Sequence, residues 1–394
     1  MLGVAQAGRI AIAAAVLSIC VGGAGRAQVM IVGNDEKVGW DDNAKPVARP
    51  PGNDTLSVFD LSKPEAPRIT ATIPLANTIV GPPVNLAVTP SGDIALVANS
   101  MKSEADGSSW KNVPNNEVFV VDLKENPPKV IATVTAGKQA SGIAISPKGD
   151  LALVANRADG TLSVLSIKGK EVKVIDTVSI GTAADQVSAV AITPDGKRAL
   201  AAKFMAHKIA LLSIDGDKVT YDKRDLPTGL NPYNLAVTPN GRIAIAVNNG
   251  AGGGSDGNVD TVSVIDLEAS PARVIDHVVI GDAPEGFAMS PKGDLAVAVL
   301  LRGSNADPKA FYYNKGGAVV ALKIDGKKVT KVGEIVVGAL PEGVAFSPKG
   351  DYLYVGNFID QDLSVLKVDG EKLSDSGQRM KLPGHPASMR AGPQ

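Results

Sequence analysis

Residues 338–357 read GALPEGVAFSPKGDYLYVGN, and most of the chain is that stretch written again with a variable tail. A Gly-x-x-Pro lead-in is followed by a short apolar run, a Ser-Pro-x-Gly turn, a second apolar run and a closing Asn. The same order returns at residues 281–300, GDAPEGFAMSPKGDLAVAVL, at residues 229–248, GLNPYNLAVTPNGRIAIAVN, and at residues 137–156, GKQASGIAISPKGDLALVAN. The turn prolines Pro90, Pro147, Pro194, Pro239, Pro291 and Pro348 mark six units about fifty residues apart, a period at which each unit must bury its faces against its neighbours, as in solenoids and propellers.

Pro presets its own φ and Gly accepts a positive one, so each Pro-x-Gly joins two strands tightly. The segments that follow, such as IALVAN, LALVAN and IAIAVN, are almost continuously apolar and suit strands covered on both faces. Alternating runs come next (EVFVVDL, TVSVIDL, DLSVLKV), then outer runs such as KVIDTVSIG. Four short antiparallel strands per unit make one propeller blade. Before the first full unit the chain supplies VMIVGN, TLSVFDL and RITATIPL, three strands without an innermost one; after the last it ends in GHPASMRAG, an innermost strand without the rest. Joined, the two ends complete a seventh blade, so the expected fold is all-β: a seven-bladed β-propeller closed by N- and C-terminal strands sharing one blade. Closure of this kind removes the exposed edges of an open sheet.

The SPKGD turn with LYVGN, LALVAN and IALVAN resembles the YVTN family of bacterial β-propeller repeats over essentially the whole of residues 28–394. The resemblance implies fold and export. Propellers of this broad kind include surface proteins, lactonases and subunits of redox enzymes, so fold analogy does not choose a function.

Arg9, an uncharged run over residues 10–21 and the small residues up to Ala27 form an export signal, so residues 1–27 are expected to be removed and residues 28–394 to form the propeller. The chain's only cysteine, Cys20, leaves with the signal, and stability in a periplasmic or secreted setting must then come from packing. The formal net charge of −1 gives no reason to expect nucleic acid or an anionic membrane as a partner. No second apolar run is long enough to span a membrane after processing, and the protein is taken as a monomer.

Alternating strand direction puts every long insertion, residues 34–54, 99–117, 248–260 and 302–317, on one face together with the Gly-x-x-Pro lead-ins. Such a face is where binding resides on a rigid scaffold. The lead-ins should ring the central channel with Asn231, Tyr233, Glu285, Glu342 and His385. Glu285 and Glu342 hold equivalent places in neighbouring blades and could share a proton, bind a cation or act as acid and base; the structural alternative is that each pins blade to blade. Asn34, Asn99, Asn156, Asn248 and Asn357 repeat at the end of the second strand and suit a structural task, whereas Lys203, which replaces one of them, could face an anion or simply be solvated.

The three histidines fall in different blades and form no metal triad. Asp256, Asn258 and Asp260 alternate like an oxygen-ligand calcium loop but lack the later Gly and Glu of an EF-hand. No other cofactor signature occurs, and GGSDG sits in a glycine-rich loop with no helix to make it a nucleophile elbow.

Numbering the blades from zero at the N-terminus, the insertions belong to blades zero, one, four and five. Trp40 and Trp110 would then face Phe311, Tyr312 and Tyr313 across a two-walled aromatic cleft. Three functions follow: an exported propeller binding a small organic ligand or a periplasmic protein on the long-loop face; a lactonase-like hydrolase using Glu285 or Glu342 with Lys203, His385 or a metal-bound water; or a propeller that docks a redox partner.

Overall fold

The computed structural model describes residue 3, residues 28–41 and residues 44–392. The expected export signal, residues 1–27, lies outside the described residues apart from residue 3. Seven four-stranded antiparallel sheets form the propeller. Blade zero takes its inner strand, Pro386–Gly392, from the C-terminal end and the next three, Val29–Asn34, Thr55–Asp60 and Arg68–Pro74, from the N-terminal end. The register at this seam sets Val29 opposite Gly392 and Ile31 opposite Arg390. The other inner strands are Leu86–Val88, Ala140–Ile145, Val187–Ile192, Pro232–Val237, Pro284–Met289 and Pro341–Phe346. The helical residues described are one 3-10 turn, Ala183–Asp185.

The repeated residues explain themselves locally. In the turn at Ser146 the Gly149 N–H donates to the Ser146 carbonyl at 2.8 Å, and the Ser146 hydroxyl donates to Asp150 at 2.7 Å while accepting from the Leu151 N–H at 3.1 Å. One side chain thus ties both arms of the turn. The closing Asn is a latch. Asn357 accepts from the Gly338 N–H at 3.1 Å and donates to Asp362 and Ser364, each at 2.7 Å. Asn156 repeats this with Gly137, Thr161 and Ser163. The latch requires glycine in the lead-in, because a Cβ on Gly338 would lie 2.5 Å from Asn357 Cγ.

Second strands such as Leu151–Asn156 and Leu295–Leu300 are buried throughout, while outer strands such as Glu171–Ser179 are mostly exposed. Apolar side chains of adjacent blades meet in separate clusters; one joins Ile245 and Val264 to Phe287, Ala298 and Val320. Near the axis the strands close tightly, and a Cβ on Gly286 would collide with the Glu342 carbonyl.

Two insertions are more regular than the expected loops. Residues 99–117 continue their strands into a long arm, Ile94–Asp106 against Ser109–Asp122, with a bulge between Asn99 and Met101. Residues 35–54 contain a short hairpin, Val38–Trp40 against Pro46–Ala48. Its roots are pinned by the buried Lys37 ammonium, 2.8 Å from Asp54 and 3.3 Å from Asp35. Ser103 on the neighbouring arm donates to the Arg49 carbonyl at 2.6 Å.

Candidate functional site

Each blade delivers three residues to the channel mouth: one of the lead-in, one at the start of the inner strand, and the residue after the latch position. In blades two to six the lead-in residue, Gln139, Gln186, Asn231, Ala283 or Leu340, has a positive φ between 48° and 58°. A left-handed residue here turns the chain from the face into the inner strand.

The mouth has two unlike sides. On one, Ala283, Leu301, Leu340, Phe358 and Ala387 form an apolar cluster, with Trp40 and Ile79 against it. Trp40 meets Phe358 edge-on at a centroid distance of 5.4 Å, so the hairpin roofs this side. The other side is polar and gathers Tyr233, Glu285 and Glu342, all buried, with Arg157 and Asn249. Asn249 Nδ2 donates to Glu285 Oε1 at 3.3 Å and to the Pro284 carbonyl at 3.1 Å.

Burial pushes the Glu285 carboxyl up to about 8, although the Arg157 charge and the Asn249 hydrogen bond pull it down. Burial, and then the neighbouring Glu285, hold Glu342 well above the ordinary carboxyl range. The Tyr233 hydroxyl is raised too, first by burial and then by Glu285, with Arg157 opposing. The Arg157 guanidinium lies 4.9 Å from the Phe204 ring centroid and 5.8 Å from that of Tyr233, and its Nε and Nη2 donate to Gln186 Oε1 at 3.1 and 3.0 Å. No carboxylate of the described residues pairs with it within 4.0 Å, so a stacked, oriented guanidinium acts on Glu285 and Tyr233 by its charge without forming an ion pair. Two buried atoms of this side have no hydrogen-bond partner among the described residues, Glu342 Oε2 and Asn249 Oδ1. Unmet polar atoms on either side of Glu285 are what a polar ligand, or ordered water in its stead, would satisfy.

The remaining sequence candidates lie elsewhere. Lys203 is not solvated but buried, and the anions it faces are the protein's own: Asp225 at 3.0 Å and Asp185 at 3.6 Å, with Tyr221 donating to Asp225 at 2.7 Å. An ammonium answered by two carboxylates is committed to structure. His385 stands on the apolar side, its Nδ1 2.7 Å from the Phe358 carbonyl and its Nε2 3.8 Å from Glu36. Asn231 is at the polar rim, where its N–H donates to His207 Nδ1 at 3.0 Å.

The aromatic residues do not line one cleft. Trp40 covers the mouth and Trp110 sits on the arm opposite Ala105. Phe311 and Tyr312 meet edge-on at 5.2 Å and line a groove of about 390 Å³ beside the outer strands of blades four and five, where Phe311 is 89% exposed. Tyr313 is half-buried nearby, its N–H donating to the Ala310 carbonyl at 3.0 Å. Asp256 accepts from Asn258, and Asp260 accepts from the Ala283 N–H at 2.9 Å. Among the described residues no group of three acidic, histidine or cysteine side chains could hold a metal.

Sequence reasoning missed Arg157 and Asn249. Both directly follow a latch asparagine, a position that also supplies Asp35, Ser100 and Phe358, and its variability beside the recurring asparagine was the available signal.

No family model matches the chain, and no curated protein matches it in sequence. Solved structures do match. A candidate 6-phosphogluconolactonase of Bacteroides uniformis is 16% identical, with a TM-score of 0.67 over 93% of this chain and 99% of that one. The periplasmic gluconolactonase of Pseudomonas aeruginosa is 17% identical, with a TM-score of 0.66 over 92% and 98%. A functionally unknown protein of Desulfotomaculum acetoxidans is 15% identical, with a TM-score of 0.66 over 93% and 99%. At these identities the fold is what is shared, and the chain is a seven-bladed propeller similar in architecture to lactonase-like proteins.

Proposed function

We propose that this protein is an exported, periplasmic propeller of the YVTN kind that binds a small cyclic ester at the polar side of its channel mouth and hydrolyses it. The observation that carries the reading is the pair Glu285 and Glu342, buried side by side in equivalent places of adjacent blades and both inclined to hold protons. Two like charges in one dry place do not ionise together, and this separates an acid from a base. Glu285 loses its proton first. It then takes a proton from a water that attacks the ester carbon, and Glu342 gives its own to the ring oxygen as the C–O bond breaks. The N–H groups of Arg157 not spent on Gln186 suit the charge that develops on the carbonyl oxygen. Afterwards Glu342 regains a proton from Glu285. The architecture shared with a periplasmic gluconolactonase supports this reading.

The test is a pH-stat assay over γ- and δ-lactones, glucono-δ-lactone included, with spontaneous hydrolysis subtracted. The rate should rise with pH through about 8, and Glu285→Gln and Glu342→Gln should each lower kcat by about 100-fold or more. Equal rates for the wild type and both variants would sink the proposal. A second reading, docking of a protein partner, is favoured by the 89% exposed Phe311 in its outer groove. Binding of lactones without turnover, with a partner lost on Phe311→Ala, would favour it.

A further inference from the structure

The latch asparagine comes with a partner, and one blade keeps the asparagine without it. In blades zero, two, four and six the amide of Asn34, Asn156, Asn248 or Asn357 donates to Ser57, Ser163, Ser263 or Ser364 at 2.7–3.1 Å. Each serine lies two residues beyond the third-strand residue paired with the asparagine. Blades three and five carry Ala210 and Val320 at that place, and there the latch residue is not asparagine either but Lys203 or Leu300. Blade one departs from both patterns: Phe119 holds the serine's place, and Asn99 stays.

Asn99 is only 2% exposed, no side-chain hydrogen bond joins it to a described residue, and its buried Oδ1 has no partner among them. A buried amide left unmet carries the full desolvation cost of the group. Blades three and five show that the fold itself does not require asparagine here.

Asn99 and Phe119 line a cleft of about 340 Å³ between blades zero and one, within the range of sites for small organic molecules. Pro74, Leu75 and Val130 continue its apolar walls, and Pro51 flanks it from the hairpin side. The charges of the lining are answered inside the protein: Lys37 by Asp54 and Asp35, and Lys102 by Glu104 at 2.9 Å. Ser103 donates to the Arg49 carbonyl. Among the described polar side chains of the cleft, Asn99 is the one left open.

We infer that this cleft, separate from the channel mouth, binds a small uncharged molecule that joins an apolar body to a cis-amide edge, as lactams and cyclic dipeptides do. A carboxamide offers an acceptor and a donor side by side in one plane. A cis amide presents the matching pair, so its N–H donates to Asn99 Oδ1 while its carbonyl accepts from Asn99 Nδ2. A carboxylate has no proton for Oδ1 and would lie beside Asp54. Phe119 and the wall prolines cover the apolar body.

The test is a ligand-detected NMR titration with cyclo(Leu-Pro) and ε-caprolactam, each compared with its N-methylated counterpart, which lacks the N–H. Wild-type protein should bind at least one of the two, and its counterpart about tenfold or more weakly. Asn99→Leu, which copies the residue type of blade five, should lose about tenfold or more in affinity for that compound with a Tm equal to or above that of the wild type. Phe119→Ser, which returns a hydroxyl to Asn99 and removes an apolar wall, should also weaken binding.

No binding of either compound at up to about 10 mM overturns the inference. Equal affinity for a compound and its N-methylated counterpart does so too, as does affinity unchanged in Asn99→Leu. If Asn99→Leu fails to fold, the contrast between each compound and its counterpart on wild-type protein, and its loss in Phe119→Ser, decides the matter.

Discussion

Replacing Glu285 by Gln should stabilise the folded protein at neutral pH and leave it nearly unchanged in acid. The carboxyl has an ordinary value of 4.5 and is raised to about 8 in the fold, chiefly by burial. Below 4.5 the group is protonated in both the folded and the unfolded chain and contributes no difference. As pH rises, the unfolded chain ionises while the folded one does not, so the contribution of this group to stability is lost progressively between the two values. Each pH unit is worth about 1.4 kcal/mol, so by pH 7 the wild type has given up about 3 kcal/mol that a side chain unable to ionise keeps. Gln retains the acceptor for Asn249, whose Nδ2 lies 3.3 Å from Oε1. Any cost of exchanging a hydroxyl for an amide applies at every pH and cancels in the comparison. The assay is urea unfolding of both proteins at pH 4.5, 6 and 7.5, read as the change in their difference. Parallel curves, or a variant that loses stability at pH 7.5, would show that Glu285 is ionised beside Arg157 and would refute both the reasoning and the acid–base division built on it.

Three further outcomes are expected. Deleting residues 382–394 removes the inner strand of blade zero together with Met389 and Ala391 of its core; it should cost a large part of the roughly 5–15 kcal/mol that holds a domain folded, and an unchanged melting curve would contradict the closure. Asn357→Ala cuts the latch between Gly338, Asp362 and Ser364 and should cost about 3 kcal/mol in urea unfolding, a cost below about 0.5 kcal/mol counting against a structural role. Mass spectrometry of protein from the native host should place the N-terminus near Gln28, and an intact Met1 would argue against export.

What the repeat enforces was legible; what it leaves free was not. Ser146, Gly149 and Asn156 bond within their own unit or to the next strand, so their meaning is carried by local spacing, and the missing inner strand at one end matched the spare one at the other. Glu285 and Glu342 could be placed at the mouth because they hold the same position in successive units. Arg157 could not, since its neighbours Gln186, Phe204 and Tyr233 come from other units and no linear spacing joins them. Lys203 misled although its carboxylates, Asp185 and Asp225, belong to its own blade, because one stands well before it and one well after it in the chain and no short spacing joins them. The aromatic cleft failed because an insertion's path is set by where it finds cover. Trp40 found Phe358 on its own side of the ring, while Phe311 and Tyr312 paired beside the outer strands.

The five left-handed lead-in residues bear on how such a protein could acquire a new specificity. Gln139, Gln186, Asn231, Ala283 and Leu340 share one backbone shape while differing in size and polarity, so that shape is dictated by the blade and not by the side chain. Holding a residue other than glycine there costs on the order of 1 kcal/mol each, a penalty already met at all five places. Exchanging one of these residues for another adds little new strain, and the mouth can be rewritten one position at a time without renegotiating the fold. The scaffold behaves as a mount with interchangeable jaws, which makes these five positions, ahead of the insertions, the natural starting library for redirecting what the channel accepts.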